Sequence, residues 1–270
     1  MEEQYGFGAL PSPPDIRDYH LAAQVINISS LPKTFINKKT KIKFQGSQQT
    51  CVAHALSSLV EFHNGTNETF STEFIYGCRT DKDYLGEGMY LRDGLKILQN
   101  YGDVFLQDLP GNSSVPVARK NVSANFDILK EKAYPNRIST YYKIFTIEEL
   151  KYSLYNNGPV PASMRWFNGA KLDNQGNYNY TVSKQFTGHA VLIVGWTKDS
   201  FICQNSWSEK SGDKGYFYIP FKKLNEVFFE LYGVTDDIAT VKKPSKPINA
   251  LSPVINAALQ LVKIFQKYKK

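Results

Sequence analysis

Apolar residues in the first half of the chain recur at helical spacing. Residues 51–63 present one apolar face and are followed by Gly65, which predicts a helix that ends there. Residues 90–101 repeat the pattern, and Ser71 is a candidate N-cap for a short helix that extends to Tyr76. The first half is therefore predicted to be mainly helical.

The pattern changes in the second half. Thr146 and Glu149 have the spacing of a capping box and predict a helix that ends at Gly158, whereas residues 103–145 show no clear period and are expected to form loops. Beyond Pro159 the chain contains β-branched, apolar runs. The strands predicted from these runs are residues 189–196, 199–204, 215–220 and 228–234. Helices followed by strands predict an α+β protein of two lobes with a cleft between them.

Composition shifts divide the chain into three segments. Residues 1–45 are rich in proline and are expected to form an irregular N-terminal arm. Residues 46–240 are the main domain, with a left lobe to about residue 145 and a right lobe after it. Residues 241–270 are predicted to be a basic linker followed by an amphipathic helix that begins near Ser252 and Pro253.

The net charge of +7 belongs to this C-terminal segment. Residues 242–270 contain seven lysines and no acidic residue, which leaves 25 basic and 25 acidic residues in the first 241 positions. A neutral main domain argues against a nucleic-acid-binding face. The basic helix is either a solvated face or a contact for a partner protein or a membrane surface.

Three cysteines, Cys51, Cys78 and Cys203, are a poor disulfide framework for a secreted protein of 270 residues. The N-terminus is acidic and lacks an apolar signal region, and no run of 18 apolar residues predicts a transmembrane helix. These features favour a cytoplasmic location in a reducing compartment.

The candidate chemistry centres on Cys51, which stands where a loop becomes a helix. Backbone N–H groups and the helix dipole favour a thiolate there, and a nearby imidazolium would lower the thiol pKa further. His189 begins a predicted strand, and the side-chain oxygen of Asn205 can fix its tautomer. Gln45 is a candidate oxyanion donor, and Trp207 can cover the bond between histidine and asparagine.

Other site types find little support in the sequence. His54 lies one turn after Cys51 on the same helix and is interpreted as a structural or surface residue. No Cys/His cluster has the spacing of a zinc site, and no phosphate-binding or dinucleotide motif occurs. No metal and no organic cofactor is expected.

Three motifs carry a resemblance to a known family. Gln45-Gly-x4-Cys51, Gly188-His-Ala-Val-Leu-Ile-Val-Gly-Trp196 and Asn205-Ser-Trp together resemble the papain-like (C1) cysteine peptidases, and the similarity extends over roughly residues 12–235. The resemblance implies a helical left lobe that bears Cys51 and a β-barrel-like right lobe that bears His189 and Asn205.

The resemblance also implies a polypeptide substrate that lies extended across the cleft. By the same comparison, Gly88 falls in the stretch that binds the substrate backbone. Ser163 falls near the pocket for the second residue before the scissile bond, and Trp207 belongs to the substrate site. These three residues are the expected substrate-binding residues.

The chain departs from the usual family motif before the nucleophile. The family's Cys-Gly-Ser-Cys-Trp is Gln48-Gln-Thr-Cys-Val52 here, so the bridge that would involve Cys78 cannot form. These replacements are more similar to intracellular bacterial and viral branches than to lysosomal cathepsins, and an association with a virus particle is left open. The stretch before Leu31 is too short for the family's inhibitory propeptide, so the means of restraining activity is not predicted.

Three functions remain open from the sequence. The first is a cysteine peptidase that acts through Cys51 and His189 and an acyl-enzyme intermediate. The second is an exopeptidase, amidase or transpeptidase that uses the same residues. The third is a non-catalytic binding or structural component of a larger assembly, which is motivated by the unusual Gln48 and Gln49.

Overall fold

Residues 5–15, 31–65, 67–80 and 86–236 are described by the computed structural model. The chain divides into two compact units, Met1–Asp237 and Ile238–Lys270. All the residues described here belong to the first unit. The predicted linker and helix of residues 241–270 lie outside the described residues.

Helices dominate the first half of this unit, as predicted. The helices are α1 (Cys51–Asn64), α2 (Thr72–Gly77), α3 (Leu91–Asn100), α4 (Val115–Ser123), α5 (Phe126–Ala133), α6 (Ile147–Asn156) and α7 (Leu224–Val227). Gly65 ends α1 in the left-handed conformation, with φ of 66°. Ser71 Oγ accepts a hydrogen bond from Phe74 N and caps α2, and Thr146 and Glu149 form the predicted capping box of α6.

The prediction of loops for residues 103–145 is wrong over α4, α5 and the strand Thr140–Lys143. Each helix buries only a few small or medium side chains, such as Ala118 and Val122 of α4 and Leu129 of α5, so most of its surface is polar. The close fit between α2 and α4 explains how α4 packs against the protein with so little buried apolar surface. A Cβ on Gly77 of α2 would lie 2.5 Å from the Ala118 carbonyl oxygen. Tertiary packing therefore stabilises these helices despite their weak periodicity.

Strands form the second half of the chain and parts of the first. The strands are β1 (Ala9–Leu10), β2 (Phe35–Ile36), β3 (Met89–Tyr90), β4 (Thr140–Lys143), β5 (Val160–Phe167), β6 (Lys171–Leu172), β7 (Tyr178–Asn179), β8 (Phe186–Trp196), β9 (Ser200–Gln204), β10 (Tyr216–Pro220) and β11 (Phe228–Thr235). The N-terminal arm, expected to be irregular, thus contributes the two short strands β1 and β2.

The main sheet has the order β10-β9-β8-β5-β11-β4, and β2 adds to β8. Among the described residues the strands form an open ladder and not a closed barrel. All neighbouring pairs along it are antiparallel. The α+β architecture agrees with the prediction.

Strand β8 divides the interior, because successive side chains point to opposite faces. Ala190, Leu192 and Val194 pack in one cluster with Cys51 and the rest of α1. The alternate residues Val191 and Ile193 belong to a second cluster that β5, β9, β10 and β11 share with α6. This division fixes the start of α1 against the start of β8, where His189 lies.

Candidate active site

Cys51 is the first residue of α1 and has no exposed surface. The Cys51 sulfur interacts with four backbone N–H groups, those of Ala190, Val52, Ala9 and Cys51 itself. Burial is the larger effect, however, and raises the pKa of the thiol to about 12, while these N–H groups lower it. The contact with Ala190 places the sulfur beside the residue that follows His189.

His189 is also fully buried, and Asn205 orients its ring. The His189 Nε2 and Asn205 Oδ1 atoms are 2.8 Å apart, and Oδ1 also accepts a hydrogen bond from Ser206 N at 2.8 Å. Since Oδ1 can only accept, the proton is on Nε2, and Nδ1 is the basic nitrogen. Nδ1 has no hydrogen-bond partner among the described residues. Burial lowers the pKa of His189 to about 4, and the bond to Asn205 opposes this shift.

Trp207 covers the histidine. Its ring stacks on His189 with a centroid distance of 4.4 Å and an interplanar angle of 28°. This arrangement agrees with the predicted cover over the bond between histidine and asparagine.

Gln45 is held beside the nucleophile by its own backbone and its side-chain oxygen. Its N–H donates to Ser206 O at 2.9 Å, and Ser206 Oγ donates to Gln45 Oε1 at 2.5 Å. The side-chain nitrogen is thereby turned toward the cleft, where it donates to Gly6 O at 3.1 Å and to Gln48 O at 2.8 Å. The Gly6 carbonyl oxygen thus accepts a hydrogen bond from the side-chain nitrogen that was predicted to donate to the oxyanion.

That carbonyl belongs to an N-terminal segment, residues 5–12, which lies along the cleft. Gly6 N donates to Gly46 O at 2.8 Å, and Gly8 N donates to Gly188 O at 3.1 Å. Strand β1 of the segment runs parallel to β3. Met89 N of β3 donates to Gly8 O at 2.8 Å. The segment therefore crosses the site in extended form.

Aromatic rings fix the first part of the N-terminal segment. Tyr5 stacks on Trp207 at a centroid distance of 4.8 Å and an angle of 9°. Phe7 meets the rings of His189, Trp207 and Trp166 at 5.7, 5.4 and 6.0 Å. Edge contacts of this kind add to the stabilisation that area burial provides.

Two glycines permit this close approach. A Cβ on Gly6 would lie 1.9 Å from the Gln48 carbonyl oxygen, and one on Gly8, where φ is +133°, would lie 2.4 Å from the Gln49 carbonyl oxygen. The alternation Tyr5-Gly-Phe-Gly8 in the sequence was a signal for this fit, and sequence reasoning missed it.

The closed cleft leaves the dyad neutral. With the pKa of Cys51 raised and that of His189 lowered by burial, neither group is charged near neutral pH. The predicted thiolate–imidazolium pair is therefore absent in this state. The N-terminal segment supplies the physical reason, because it excludes water from both side chains.

Two of the three predicted substrate-binding residues, Gly88 and Trp207, contact the N-terminal segment. Gly88, with φ of +96°, precedes β3, and a Cβ on it would lie 2.7 Å from Gly8 O. Ser163 lies on β5 opposite Ala190 and is fully buried, with no hydrogen-bond partner for Oγ among the described residues. Trp207 Nε1 donates to Gly6 O at 3.2 Å. Their roles toward a substrate stay predictions.

Other candidate chemistry lies away from this site. Cys78 and Cys203 are free thiols, and Cys203 lies in the core as predicted. His54 is buried and its Nδ1 is 3.0 Å from Thr50 O, as a structural histidine would be. Across the described ranges, no group of three or more His, Cys, Asp or Glu side chains could hold a metal ion. No helix in these ranges has the length and apolarity needed to cross a membrane.

A cysteine at a helix start, a histidine oriented by asparagine and a glutamine amide beside them define the thiol protease class of site. The family comparison agrees, since residues 33–235 match the model of the papain family cysteine proteases. The chain belongs to the papain family.

Curated relatives are similar over most of this chain. The chain is 27% identical over 227 residues to cathepsin B-like cysteine proteinase 3 of Caenorhabditis elegans, which covers 70% of this chain. It spans 61% of that relative's length. It is 26% identical over 227 residues to an uncharacterized peptidase C1-like protein of Acanthamoeba polyphaga mimivirus, covering 72% of this chain and 70% of the relative.

A solved structure shares the fold. Xylellain, a cysteine protease from Xylella fastidiosa, superposes with a TM-score of 0.73 at 23% identity, covering 87% of this chain and 97% of the other. This likeness supports the α+β papain fold described above.

Proposed function

We propose that this protein is a cysteine peptidase that cleaves peptide bonds through Cys51 and His189. The observation that carries the proposal is the 2.8 Å contact between His189 Nε2 and Asn205 Oδ1, which leaves the basic Nδ1 for the thiol proton. Family membership supports the same reaction.

A polypeptide substrate is supported by the cleft itself, which binds an extended polypeptide. Residues 5–12 of the same chain lie there and bond through their backbone to Gly46, Gly188 and Met89. Backbone contacts of this kind accept many sequences, so specificity would come from the side-chain pockets beside them.

The first half of the reaction forms the acyl-enzyme. Nδ1 of His189 takes the thiol proton, and the Cys51 thiolate attacks the carbonyl carbon of the scissile bond. Gln45 Nε2 and the Cys51 N–H donate to the oxyanion. The imidazolium then protonates the leaving amine from Nδ1, and the C–N bond breaks.

The second half returns the enzyme. His189 Nδ1 takes a proton from water as the water attacks the thioester carbonyl. The same two donors hold the oxyanion, the C–S bond breaks to release the carboxylic acid, and the proton on Nδ1 passes to the Cys51 sulfur. Asn205 keeps the ring in one tautomer throughout.

In the closed state the N-terminal segment occupies groups that this reaction uses. The backbone N–H of Ala9 interacts with the Cys51 sulfur, and the Gly6 carbonyl oxygen accepts from Gln45 Nε2. A substrate cannot bind these groups while the segment holds them. Turnover requires the segment to leave the cleft.

Hydrolysis of unstructured polypeptides, with Cys51 labelling by iodoacetamide in parallel, tests the proposal. Wild-type protein is expected to cleave casein or a peptide library, and Cys51→Ala to lose all cleavage. Cys78→Ala, which removes another free thiol, serves as the matched control and should keep full activity. Cleavage that survives in Cys51→Ala would contradict the proposal.

The related reactions are outcomes of the same test. An exopeptidase would release only terminal residues, and an amidase or transpeptidase would act on small amides or join added amines. The intact arrangement of Cys51, His189, Asn205 and Gln45 does not favour a binding-only protein. That function would gain support if Cys51→Ala left every activity unchanged.

Compartment and partners remain predictions in this proposal. A cytoplasmic, reducing location would keep Cys51, Cys78 and Cys203 as thiols. The basic residues 242–270 are proposed to contact a partner protein or a membrane surface, and the main domain is proposed not to bind nucleic acid. Binding of a peptide of residues 241–270 to anionic vesicles tests the membrane contact.

A further inference from the structure

The two groups proposed to hold the oxyanion lie at the ends of one loop, residues 45–50. Gln45 Nε2 belongs to its first residue, and the Cys51 N–H directly follows Thr50, its last residue. All three cysteines of the chain are free thiols, so no disulfide fixes this loop. Because a misplacement of about 1 Å can lower the rate of an enzyme about 10²-fold, something must hold the two ends in place.

The side chain of Asn112 joins the two ends of the loop. Its Nδ2 donates to Gln45 O at 2.8 Å, and its Oδ1 accepts from Thr50 Oγ1 at 2.6 Å. The Gln45 carbonyl can only accept, so the amide nitrogen faces it and the amide oxygen faces the hydroxyl. Thr50 is 1% exposed, and removal of the amide would therefore leave its hydroxyl buried without this partner.

The bond to Asn112 also keeps Thr50 from capping α1. Threonine is a favoured residue at the position before a helix, yet the Thr50 side chain makes no capping hydrogen bond. A capping hydroxyl would compete for the first N–H groups of the helix, and those of Cys51 and Val52 interact with the sulfur. Asn112 therefore leaves these N–H groups to the nucleophile.

The loop that carries Asn112 is held in turn by the start of α2. Thr72 Oγ1 donates to Gly111 O at 3.2 Å, on one side of Asn112. On the other side, Ser113 N donates at 2.9 Å to the Oε2 atom of Glu73, a residue with no exposed surface. The backbone is thus fixed on both sides of the asparagine, which gives its side chain a defined position.

We propose that Asn112 is a positioning residue for the peptidase reaction, and that it holds Gln45 and the start of α1 in the relative position that the oxyanion requires. The inference rests on the proposed function. Asn112 acts through Gln45 and Thr50 and not on the substrate itself. Its loss should therefore weaken stabilisation of the transition state without weakening substrate binding.

Asn112→Ala is expected to lower kcat about tenfold, a part of the 10²–10³ that loss of a whole oxyanion donor costs, and not to raise KM. The informative constant is kcat, because a segment that competes with the substrate changes the apparent KM alone. Steady-state kinetics of the full-length protein with one fluorogenic peptide give both constants.

Variants of Thr50 test the same bond from its other side. Thr50→Val removes the hydroxyl and should lower kcat, whereas Thr50→Ser keeps it and should recover most of what Thr50→Val loses. The double variant Asn112→Ala/Thr50→Val should have nearly the kcat of Asn112→Ala, since both changes break one bond. Losses that multiply, or a Thr50→Ser variant as slow as Thr50→Val, would contradict the role. If Asn112→Ala does not fold, the comparison of the two Thr50 variants decides alone.

Asn136→Ala is the matched control. Asn136 Oδ1 accepts from Asn64 Nδ2 at 2.8 Å, and Asn136 Nδ2 donates to Asp103 O at 2.8 Å. The change thus removes one bond to a side chain and one to a carbonyl, and kcat should stay unchanged.

Two results would overturn the positioning role and leave the peptidase intact. They are a kcat of Asn112→Ala close to that of the wild type, and an equal loss of kcat in Asn136→Ala. Wild-type protein that cleaves no peptide, although its Cys51 reacts with iodoacetamide, would overturn the proposed function and this role together.

Discussion

Cys51 and His189 have no exposed surface while residues 5–12 cover them. Burial therefore sets their protonation in this state, and both charged forms are disfavoured. The ion pair expected from the sequence requires water to re-enter the cleft. The acid–base behaviour of this dyad is a property of the open cleft rather than of the residues alone.

Cys51 alkylation as a function of pH tests this dependence. In the closed cleft the pKa of the thiol is about 12 and that of His189 about 4, so between pH 5 and 9 both groups are neutral. The rate should be low and rise with pH without a plateau. In an open cleft the thiol pKa falls, the histidine pKa rises, and reaction should already be fast near pH 5. Iodoacetamide labelling from pH 4 to 9 measures both.

Variants separate the two states in that measurement. His189→Ala should remove the fast reaction at acidic pH from any opened variant, because no imidazolium remains to stabilise the thiolate. A fast acidic reaction in the closed wild type would contradict the effect of burial described here.

Gln45→Ala tests the oxyanion donor. Loss of a single donor of this kind lowers kcat by about 10²–10³ and leaves KM nearly unchanged, because the bond forms in the transition state. Gln49→Ala is the matched control, since that side chain is exposed on the same loop. Steady-state kinetics with one peptide substrate give both constants. An equal loss in the two variants would mean that the loop, rather than the amide, had been disturbed.

At the scale of elements, the N-terminal segment is the feature that the sequence predicted least well. The expectation of an irregular arm followed from its prolines. Its contacts with Trp207, Gly188 and Met89 depend on residues more than 70 positions away, which local patterns cannot report.

Gly8→Ala should open the cleft and raise kcat/KM. An alanine Cβ there would meet the Gln49 carbonyl oxygen at 2.4 Å, in a backbone conformation with φ of +133°. Gly169→Ala is the matched control, because Gly169 also has a positive φ, of 78°, but has nothing within 4 Å of the added Cβ. Peptide hydrolysis and Cys51 labelling should both be faster in Gly8→Ala alone. If hydrolysis is slower there and the fold intact, the segment helps turnover rather than blocking it.

At the scale of the whole molecule, an ion pair lies beneath the site. Lys43 Nζ and Glu61 Oε1 are 2.7 Å apart, with side chains only 8% and 4% exposed. Lys43 also donates to Ser57 Oγ at 2.5 Å, and Glu61 accepts from Phe70 N at 3.1 Å. The pair thus links the chain before the nucleophile loop to α1 and to Phe70, two residues before α2.

Glu61→Ala should lower the free energy of unfolding by about 3–5 kcal/mol, because it leaves a buried ammonium unpaired. Lys132→Ala is the control, as it breaks the pair with Asp108 in which the lysine is 50% exposed, and should cost less than about 1 kcal/mol. Urea denaturation in a Cys51→Ala background measures both without self-cleavage. Equal losses would mean that Lys43 finds another partner.

The sequence predicted the parts of this molecule whose signals are local. Gly65 and the Thr146–Glu149 capping box marked two helices within a residue. The site was indicated by short motifs around Cys51, His189 and Asn205 and by their resemblance to a known family. The helices α4 and α5 were missed because their polar faces hide the period.

The tethering of residues 5–12 in the cleft has a kinetic consequence. Because the segment belongs to the same chain, its effective concentration at the site is set by the chain itself, on the order of millimolar for short linkers. Diluting the enzyme cannot release it, whereas a substrate must exceed that local concentration or bind more tightly. The protein would then cleave peptides slowly at low concentration and efficiently only at high concentration. Its apparent KM would reflect competition with the N-terminal segment as well as affinity for the substrate.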